Sequence, residues 1–364
     1  MRPLRVVPPG EGVLPALRAA LAGGDAILVG ARSPGLPAEV EHRVALVVET
    51  SGSTGVPKRV ALSADAVLAN TAASESALGM PGQWLLALPT HYIAGLNVLA
   101  RSLAAQLEPV TVEGPHFTAS GFLDAVRRMT FPDRFTSLVP AQLATLLDDP
   151  AAADALARFR AVVVGGQATP VALLDRARAA GIRVVRSYGS SETSGGCVYD
   201  GVPIGQTSVR VVDGEVQLGG PTIAEGYLGA PDLTAERFTD EGGVRWFRTA
   251  DAGELVDGVL RVTGRRDDVI VSGGVKVSLG AVERMLHEHG YPDAVVVGAA
   301  DERWGEVPVA FTARAEGPDA ASALAAIEAA LGRAARPRVS YGSDIPYLPS
   351  GKPDRVNLTE RANN

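Results

Sequence analysis

This chain of 364 residues is poor in cysteine and lysine. Cys197 is the only cysteine, which excludes an internal disulfide framework and any metal site built from several thiolates, and fits a reducing compartment. Lysine occurs three times, as Lys58, Lys276 and Lys352, in a total of 34 lysines and arginines. An ammonium is a compact charge with three rotatable donors, suited to following a phosphate oxygen or a developing charge through a reaction. Each lysine kept in an arginine-rich chain is therefore a candidate functional group. An excess of positive charge is missing too. The formal net charge of −7 argues against a general nucleic-acid or anionic-membrane binder, while leaving room for a local anion cradle. No apolar run approaches the roughly 20 residues that span a bilayer, and residues 1–10 hold no apolar stretch of signal-peptide length. These absences describe a soluble, cytoplasmic protein.

What is present is ordinary for an enzyme: 46% apolar and 21% charged residues, with length for two or three domains and a large core. Short apolar runs alternate with longer Ala/Leu/Arg-rich segments, the pattern of an α/β fold. Buried strands are predicted at 45–48, 84–88, 161–164 and 182–185, with helices over 95–107 and from Thr169-Pro170 to about Gly181. From about Val202 the texture changes to short pieces at 209–212, 215–218 and 260–262, broken by glycine, which predicts a β subdomain. After a charged linker at 264–268 come strands at 269–271, 294–297 and 309–311 and helices at 281–289 and 320–332. The expected architecture is a large N-terminal domain, 1–266, of layered α/β sheets with a β subdomain. A small mobile α+β C-terminal lid, 267–364, follows it.

The segment Thr50-Ser51-Gly52-Ser53-Thr54-Gly55-Val56-Pro57-Lys58 is the strongest local signal. Its glycines let backbone amides converge, its hydroxyls add donors, and its lysine completes a phosphate cradle at the end of a buried strand. It is not a Walker A loop, because no Gly-Lys-Ser/Thr closes it.

This segment resembles the phosphate loop of the adenylate-forming superfamily, which includes acyl-CoA synthetases, firefly-type luciferases and peptide-synthetase adenylation domains. Further motifs follow in the family's order between residues 50 and 352. Tyr188-Gly189-Ser190-Ser191-Glu192-Thr193 resembles Tyr-Gly-x-Thr-Glu, with Ser191 replacing threonine and keeping the hydroxyl. The resemblance implies that Tyr188 stacks on adenine, Ser191 donates to the α-phosphate and Glu192 ligates Mg²⁺. Gly165-Gly166-Gln167 is similar to the segment lining the adenine and acyl pockets. Arg248-Thr249-Ala250-Asp251 is similar to Arg-Thr-Gly-Asp, whose aspartate holds the ribose hydroxyls. Alanine at 250 departs from that pattern and bears on the local turn. Ser187 and Val262 complete the implied nucleotide-binding set. Gly264-Arg265-Arg266-Asp267-Asp268 resembles the hinge motif, with Arg265 near the ribose and Asp267 as pivot. Pro349-Ser350-Gly351-Lys352 resembles the loop bearing the adenylation lysine, and Gly273, Gly274 and Lys276 the lining of the CoA tunnel.

A carboxylate attacking the α-phosphate of ATP is an anion approaching a polyanion, so the barrier is largely electrostatic. Lys352 would bridge the two, while Glu192-bound Mg²⁺ and the 50–58 loop neutralise the departing pyrophosphate. The resemblance implies a rotation about Asp267 that exchanges Lys352 for the Lys276 loop before thioester formation. His91 matches the histidine that borders the acyl pocket. Tyr92-Ile93 stands where amino-acid-activating members carry Phe-Asp, and a buried ammonium without a counter-ion is costly, so amino acids are not the expected substrates. The stretch 91–102, ending in Arg101-Ser102, resembles the 2-succinylbenzoate–CoA ligases of menaquinone synthesis, and 191–203 their shorter actinobacterial members. The implied substrates are ATP, 2-succinylbenzoate and CoA, in a homodimer. The pocket for the ring carboxylate needs polar donors, for which Gly189, Ser194, Gly195, Gly196 and Gln167 are candidates, with Arg101 a counter-ion or a structural ion-pair partner. Three other readings stay open: another aryl- or acyl-CoA ligase, an adenylase loading a carrier protein, and a non-catalytic adenylate-binding module.

Overall fold

Strand Val44–Thr50 contains the apolar run predicted at 45–48, and its buried residues Val44 to Val48 lie at the heart of a six-stranded sheet. The computed structural model describes residues 1–50, 58–114, 116–266, 268–317, 319–348 and 351–364. Two units make up the chain. Met1–Thr169, Arg176–Arg210 and Gln217–Thr249 form the larger, and Pro170–Asp175, Val211–Val216 and Ala250–Asn364 the smaller. Among the described residues no helix is long and apolar enough to cross a membrane.

In the larger unit the six-stranded sheet runs in the order Gly226–Tyr227, Lys58–Ser63, Val44–Thr50, Ala26–Val29, Arg2–Val7, Glu39–Val40. Val44–Thr50 and Lys58–Ser63 pair antiparallel with Thr50 opposite Lys58. The two ends of the phosphate-loop segment therefore meet in one hairpin, although 51–57 lie outside the described residues. A second sheet of seven strands is centred on Ala161–Val164, flanked in parallel by Val184–Ser190 and Arg134–Leu138. All four residues of Ala161–Val164 are buried, as expected for a strand covered on both faces. The strand predicted at 84–88 is Gln83–Leu86, ending two residues early.

Helix Ala64–Leu78 packs on strands of both sheets, and helix Ile93–Ala105 packs against it. Ser63 caps the first helix by accepting from the Ala66 N–H at 3.2 Å, and Gly79 ends it in the left-handed conformation, φ +94°. Because it touches both sheets, it buries polar Asn70, Thr71 and Ser74 along with Ala66, Val67 and Leu78.

The smaller unit holds a five-stranded sheet that includes Val269–Ser272, Val275–Ser278, Gly305–Phe311 and Val295–Asp301, with Arg338–Ser340 parallel to Gly305–Phe311. Side-chain alternation along Val295–Asp301 sends Val296 to a core shared with Val282, Ala323 and Ile327, and Val295 and Val297 to a core shared with Phe311 and Leu358. Helices Leu279–Glu288 and Ala320–Leu331 fill the first core and helix Arg355–Ala362 supplies Leu358 to the second.

Ala250 begins the long C-terminal segment of this unit, with φ +62°, and is 6% exposed. It adopts the left-handed conformation that a glycine adopts without strain. The Ala250 N–H donates to Glu215 at 3.2 Å and its carbonyl accepts from Arg266 at 2.8 Å, which hold it there. An L-residue in this region costs roughly 1–2 kcal/mol, offset by glycine's greater unfolded freedom of about 0.4–1 kcal/mol. Ala250→Gly is thus expected to stabilise the protein by about 0.5–1 kcal/mol in urea unfolding. A loss of stability would show that packing of the methyl group outweighs the strain.

Candidate active site

The predicted site residues between 187 and 196 form one tight structure. Strand Val184–Ser190 runs through a register shift at Tyr188/Gly189 into a 3₁₀ turn, Ser191–Thr193, and returns as the antiparallel strand Gly195–Tyr199. The Thr193 hydroxyl ties the turn together, accepting from the Ser190 N–H at 2.9 Å and lying 2.6 Å from the Gly195 carbonyl. Gly189 has φ +154°, and a Cβ there would sit 2.2 Å from the Gly195 carbonyl oxygen. Gly195 has φ +103°, and its Cβ would meet the Asn97 amide nitrogen at 2.0 Å. Neither position admits a side chain. Gly165 lies across from Ser187, and the Gln167 Oε1 is buried without a hydrogen-bond partner among the described residues.

Two helices grip the returning strand from below, each with a polar pair spaced i, i+4. Helix Ala64–Leu78 presents Asn70, which donates to the Gly196 carbonyl at 2.8 Å, and Ser74, whose hydroxyl lies 2.7 Å from the Tyr199 hydroxyl. Helix Ile93–Ala105 presents Asn97, which donates to the Ser194 carbonyl at 2.8 Å, and Arg101, which donates to the Tyr199 hydroxyl at 3.2 Å. Arg101 is 5% exposed. Its guanidinium lies 4.8 Å from the Trp84 ring centroid and reaches Ser137 Oγ at 3.5 Å, while its Nε is buried with no partner among the described residues. Among the described residues no carboxylate pairs with it, so the ion-pair alternative raised from the sequence finds no acid here. Ser194 itself is fully buried at φ +56° and donates to the Thr222 carbonyl at 2.8 Å.

His91 stands just before helix Ile93–Ala105, half-buried, with its ring 4.1 Å from that of Tyr92. Burial lowers its pKa, which keeps the imidazole neutral near neutral pH. Cys197 is fully buried and its thiol is pushed up to about 12 by burial, which removes it as a nucleophile.

Glu192 and Lys58 are brought together through Tyr227. The Tyr227 hydroxyl donates to Glu192 Oε1 at 2.8 Å, and Lys58 Nζ lies 5.8 Å from the centre of the same ring. Burial first, then the Glu192 charge, raises the pKa of the phenol and keeps it a donor. Glu192 Oε2 accepts no hydrogen bond among the described residues. No cluster of three or more His, Cys, Asp or Glu side chains is found among them. A Mg²⁺ held by one carboxylate, phosphate oxygens and water suits that single open oxygen.

In the smaller unit, Asp251 faces Arg265 across a hairpin, their side chains 3.7 Å apart, with Val262 on the same strand as Arg265 and 39% exposed. Gly273 and Gly274, at φ +57° and +82°, make the turn between Val269–Ser272 and Val275–Ser278, which carries exposed Lys276. Lys352 is exposed on a turn closed by the Tyr347–Pro353 bridge and by the Leu348 N–H to the Lys352 carbonyl at 2.8 Å. Ser51, Gly52, Ser53, Thr54, Gly55, Asp267 and Pro349-Ser350 lie outside the described residues. Asn70, Ser74, Asn97, Tyr199 and Tyr227 are not singled out by the sequence. For the first three the available signal is i, i+4 polar spacing inside alanine- and leucine-rich helices, and for Tyr227 there is none.

The AMP-binding enzyme family matches residues 25–228. A probable 2-succinylbenzoate–CoA ligase of Mycobacterium tuberculosis is 42% identical, over 99% of this chain and 98% of that protein. Among solved structures, an o-succinylbenzoate CoA synthetase from Bacillus subtilis, in complex with its acyl-adenylate intermediate, is 25% identical. It superposes with a TM-score of 0.72 over 96% of this chain and 81% of that one. An amide bond synthetase from Marinactinospora thermotolerans is 27% identical, with a TM-score of 0.76 over 99% of this chain and 80% of that one. With the family matched over more than half its length and a relative matched from end to end, this chain belongs to the AMP-binding enzymes, the adenylate-forming family that uses ATP.

Proposed function

We propose that this protein activates 2-succinylbenzoate to its acyl-adenylate and passes the acyl group to CoA, giving 2-succinylbenzoyl-CoA for menaquinone biosynthesis. The observation that carries the reading is the end-to-end match, at 42% identity, with a probable 2-succinylbenzoate–CoA ligase. The reaction has two halves. An oxygen of the succinyl carboxylate attacks the α-phosphorus of ATP, the bond to pyrophosphate breaks, and an acyl-AMP forms. The CoA sulfur then attacks the acyl carbon, and AMP leaves.

Lys352 is proposed to draw the carboxylate and the α-phosphate together, and Ser191 to donate to the α-phosphate. Thr50 and Lys58, with the 51–55 loop, receive the pyrophosphate. Mg²⁺ bound through the open Oε2 of Glu192 would neutralise charge on the departing phosphates. Tyr188, Gly165, Gly166, Gln167, Ser187, Asp251, Val262 and Arg265 are proposed to hold the nucleoside, and Asp267 to act as pivot between the halves. Gly273, Gly274 and Lys276 would line the CoA path, with His91 between acyl group and thiol. A cytoplasmic location, where ATP and CoA are supplied, belongs to this reading.

Arg101 supports the choice of acid. A guanidinium 5% exposed, held by two hydroxyls and an indole face, has among the described residues no carboxylate to supply the counter-charge that a buried ion requires. The ring carboxylate of 2-succinylbenzoate is proposed to supply it beside Ser194, Gly195 and Gly196. A hydrogen bond to a charged group is worth roughly 1.5–3 kcal/mol, or about 10- to 150-fold. Arg101→Met should raise the KM for 2-succinylbenzoate by that factor and leave the KM for ATP unchanged. Equal effects on both substrates would contradict the assignment.

The primary test is pyrophosphate release and thioester formation with 2-succinylbenzoate, benzoate, a medium-chain fatty acid and a panel of amino acids. Turnover is expected with 2-succinylbenzoate, and Lys352→Ala should slow its adenylation by about 10²–10³-fold. Turnover of a different acid alone would retain the ligase and discard the substrate. Amines belong among the acceptors because of the likeness to an amide bond synthetase, and their use in place of CoA would reassign the second half-reaction.

A further inference from the structure

We propose that Tyr227 is a positioning residue for adenylation: its hydroxyl fixes one oxygen of Glu192 so that the other alone faces the metal and the ATP phosphates. The proposal rests on the reading of Glu192 as the magnesium ligand. Tyr227 is firmly held. The short strand Gly226–Tyr227 pairs antiparallel with Lys58–Ser63, placing Tyr227 opposite Val60. The Tyr227 N–H donates to Thr234 Oγ1 at 2.9 Å, and the next residue, Leu228, donates to the Arg59 carbonyl at 2.9 Å. Its ring stands edge-on to Phe238 at 5.4 Å, and the residue is 6% exposed. From this fixed base the hydroxyl reaches Glu192 Oε1 at 2.8 Å.

The same segment also holds the backbone of Glu192. The Ala224 N–H donates to the Glu192 carbonyl at 2.8 Å, so residues 224–227 fix the glutamate at both its main chain and its carboxylate. A glutamate side chain free to rotate loses rotamer entropy when it binds a metal. One already fixed by a buried phenol does not. The demand is sharp for Mg²⁺, which requires near-ideal octahedral geometry at about 2.0–2.1 Å. No cluster of three or more His, Cys, Asp or Glu side chains stands among the described residues, so the orientation of the Glu192 carboxylate is a lever the protein holds on the site. Tyr227 has a second contact, since the Lys58 ammonium lies over its ring. The phenol thus stands between the phosphate-loop lysine and the carboxylate, and relates their positions through one rigid side chain.

A buried tyrosine that merely needed a partner for its hydroxyl would behave differently from one that sets a ligand, and Tyr227→Phe separates the two. It removes one oxygen and keeps the ring that packs on Phe238 and lies under Lys58. The readout is the affinity of Mn²⁺ for the enzyme complexed with α,β-methylene-ATP, measured by electron paramagnetic resonance of free Mn²⁺, with Glu192→Gln as reference. Partners of a metal ligand typically contribute 10- to 100-fold in metal affinity. Tyr227→Phe is expected to weaken Mn²⁺ by about tenfold or more, to leave metal-free nucleotide affinity unchanged, and to recover its rate at raised Mg²⁺. Unchanged Mn²⁺ affinity in Tyr227→Phe, with Glu192→Gln weakened, would overturn the proposal and leave the glutamate's role standing. Unchanged affinity in Glu192→Gln would overturn the underlying reading of the metal site.

Discussion

Two buried asparagine amides hold the part of this protein on which its chemistry depends. Asn70 and Asn97, on different helices, donate to the carbonyls of Gly196 and Ser194, one residue apart on either side of Gly195. Those carbonyls flank Gly195, the first residue of the strand that follows Ser191 and Glu192, so the two amides set where that turn sits. Removing either would take a hydrogen bond worth about 0.5–1.5 kcal/mol from one of those carbonyls. The same helices send Ser74 and Arg101 to the Tyr199 hydroxyl four residues further on. One polar lattice thereby holds the turn that carries the proposed α-phosphate hydroxyl and the proposed metal ligand, and includes the buried guanidinium of Arg101.

The distribution of charge follows from the reaction proposed. An anion must meet a polyanion, and the protein can offer only a few groups able to lower that repulsion. Arginine serves for structural pairs throughout, as in Arg355 with Glu283 or Arg59 with Glu49. Lysine is confined to three loops or strand starts. Lys58 belongs to the larger unit beside Glu192 and Tyr227, whereas Lys276 and Lys352 both belong to the smaller. The two lysines proposed for the two half-reactions are thus carried by a unit with its own two-faced core.

Much of this was legible in the sequence where periodicity and local chemistry agreed. The run at 161–164 is the buried strand Ala161–Val164, and the Thr50 and Lys58 ends of the glycine-serine segment meet in a hairpin. The adenylate-forming family, reached through motifs such as Tyr188 to Glu192 and Gly165-Gly166, is the family to which the chain belongs. What escaped was the physics of two-sided burial. Helix Ala64–Leu78 touches both sheets, so its polar residues point inward and its sequence lacks an apolar stripe. The inward role of Asn70 and Ser74 emerges only when strand Gly195–Tyr199 is laid against them. Tyr227 escaped for another reason: its contact with Glu192 spans 35 residues and depends on a two-residue edge strand that no periodicity reveals.

The central claim is that chemistry passes through an acyl-adenylate formed at the succinyl carboxylate. It is tested most directly by supplying 2-succinylbenzoate labelled with ¹⁸O in that carboxylate, together with ATP and CoA, and weighing the products. Attack at the α-phosphorus predicts one labelled oxygen in AMP and none in pyrophosphate. Label in phosphate or pyrophosphate, or thioester formed with unlabelled AMP, would contradict the account.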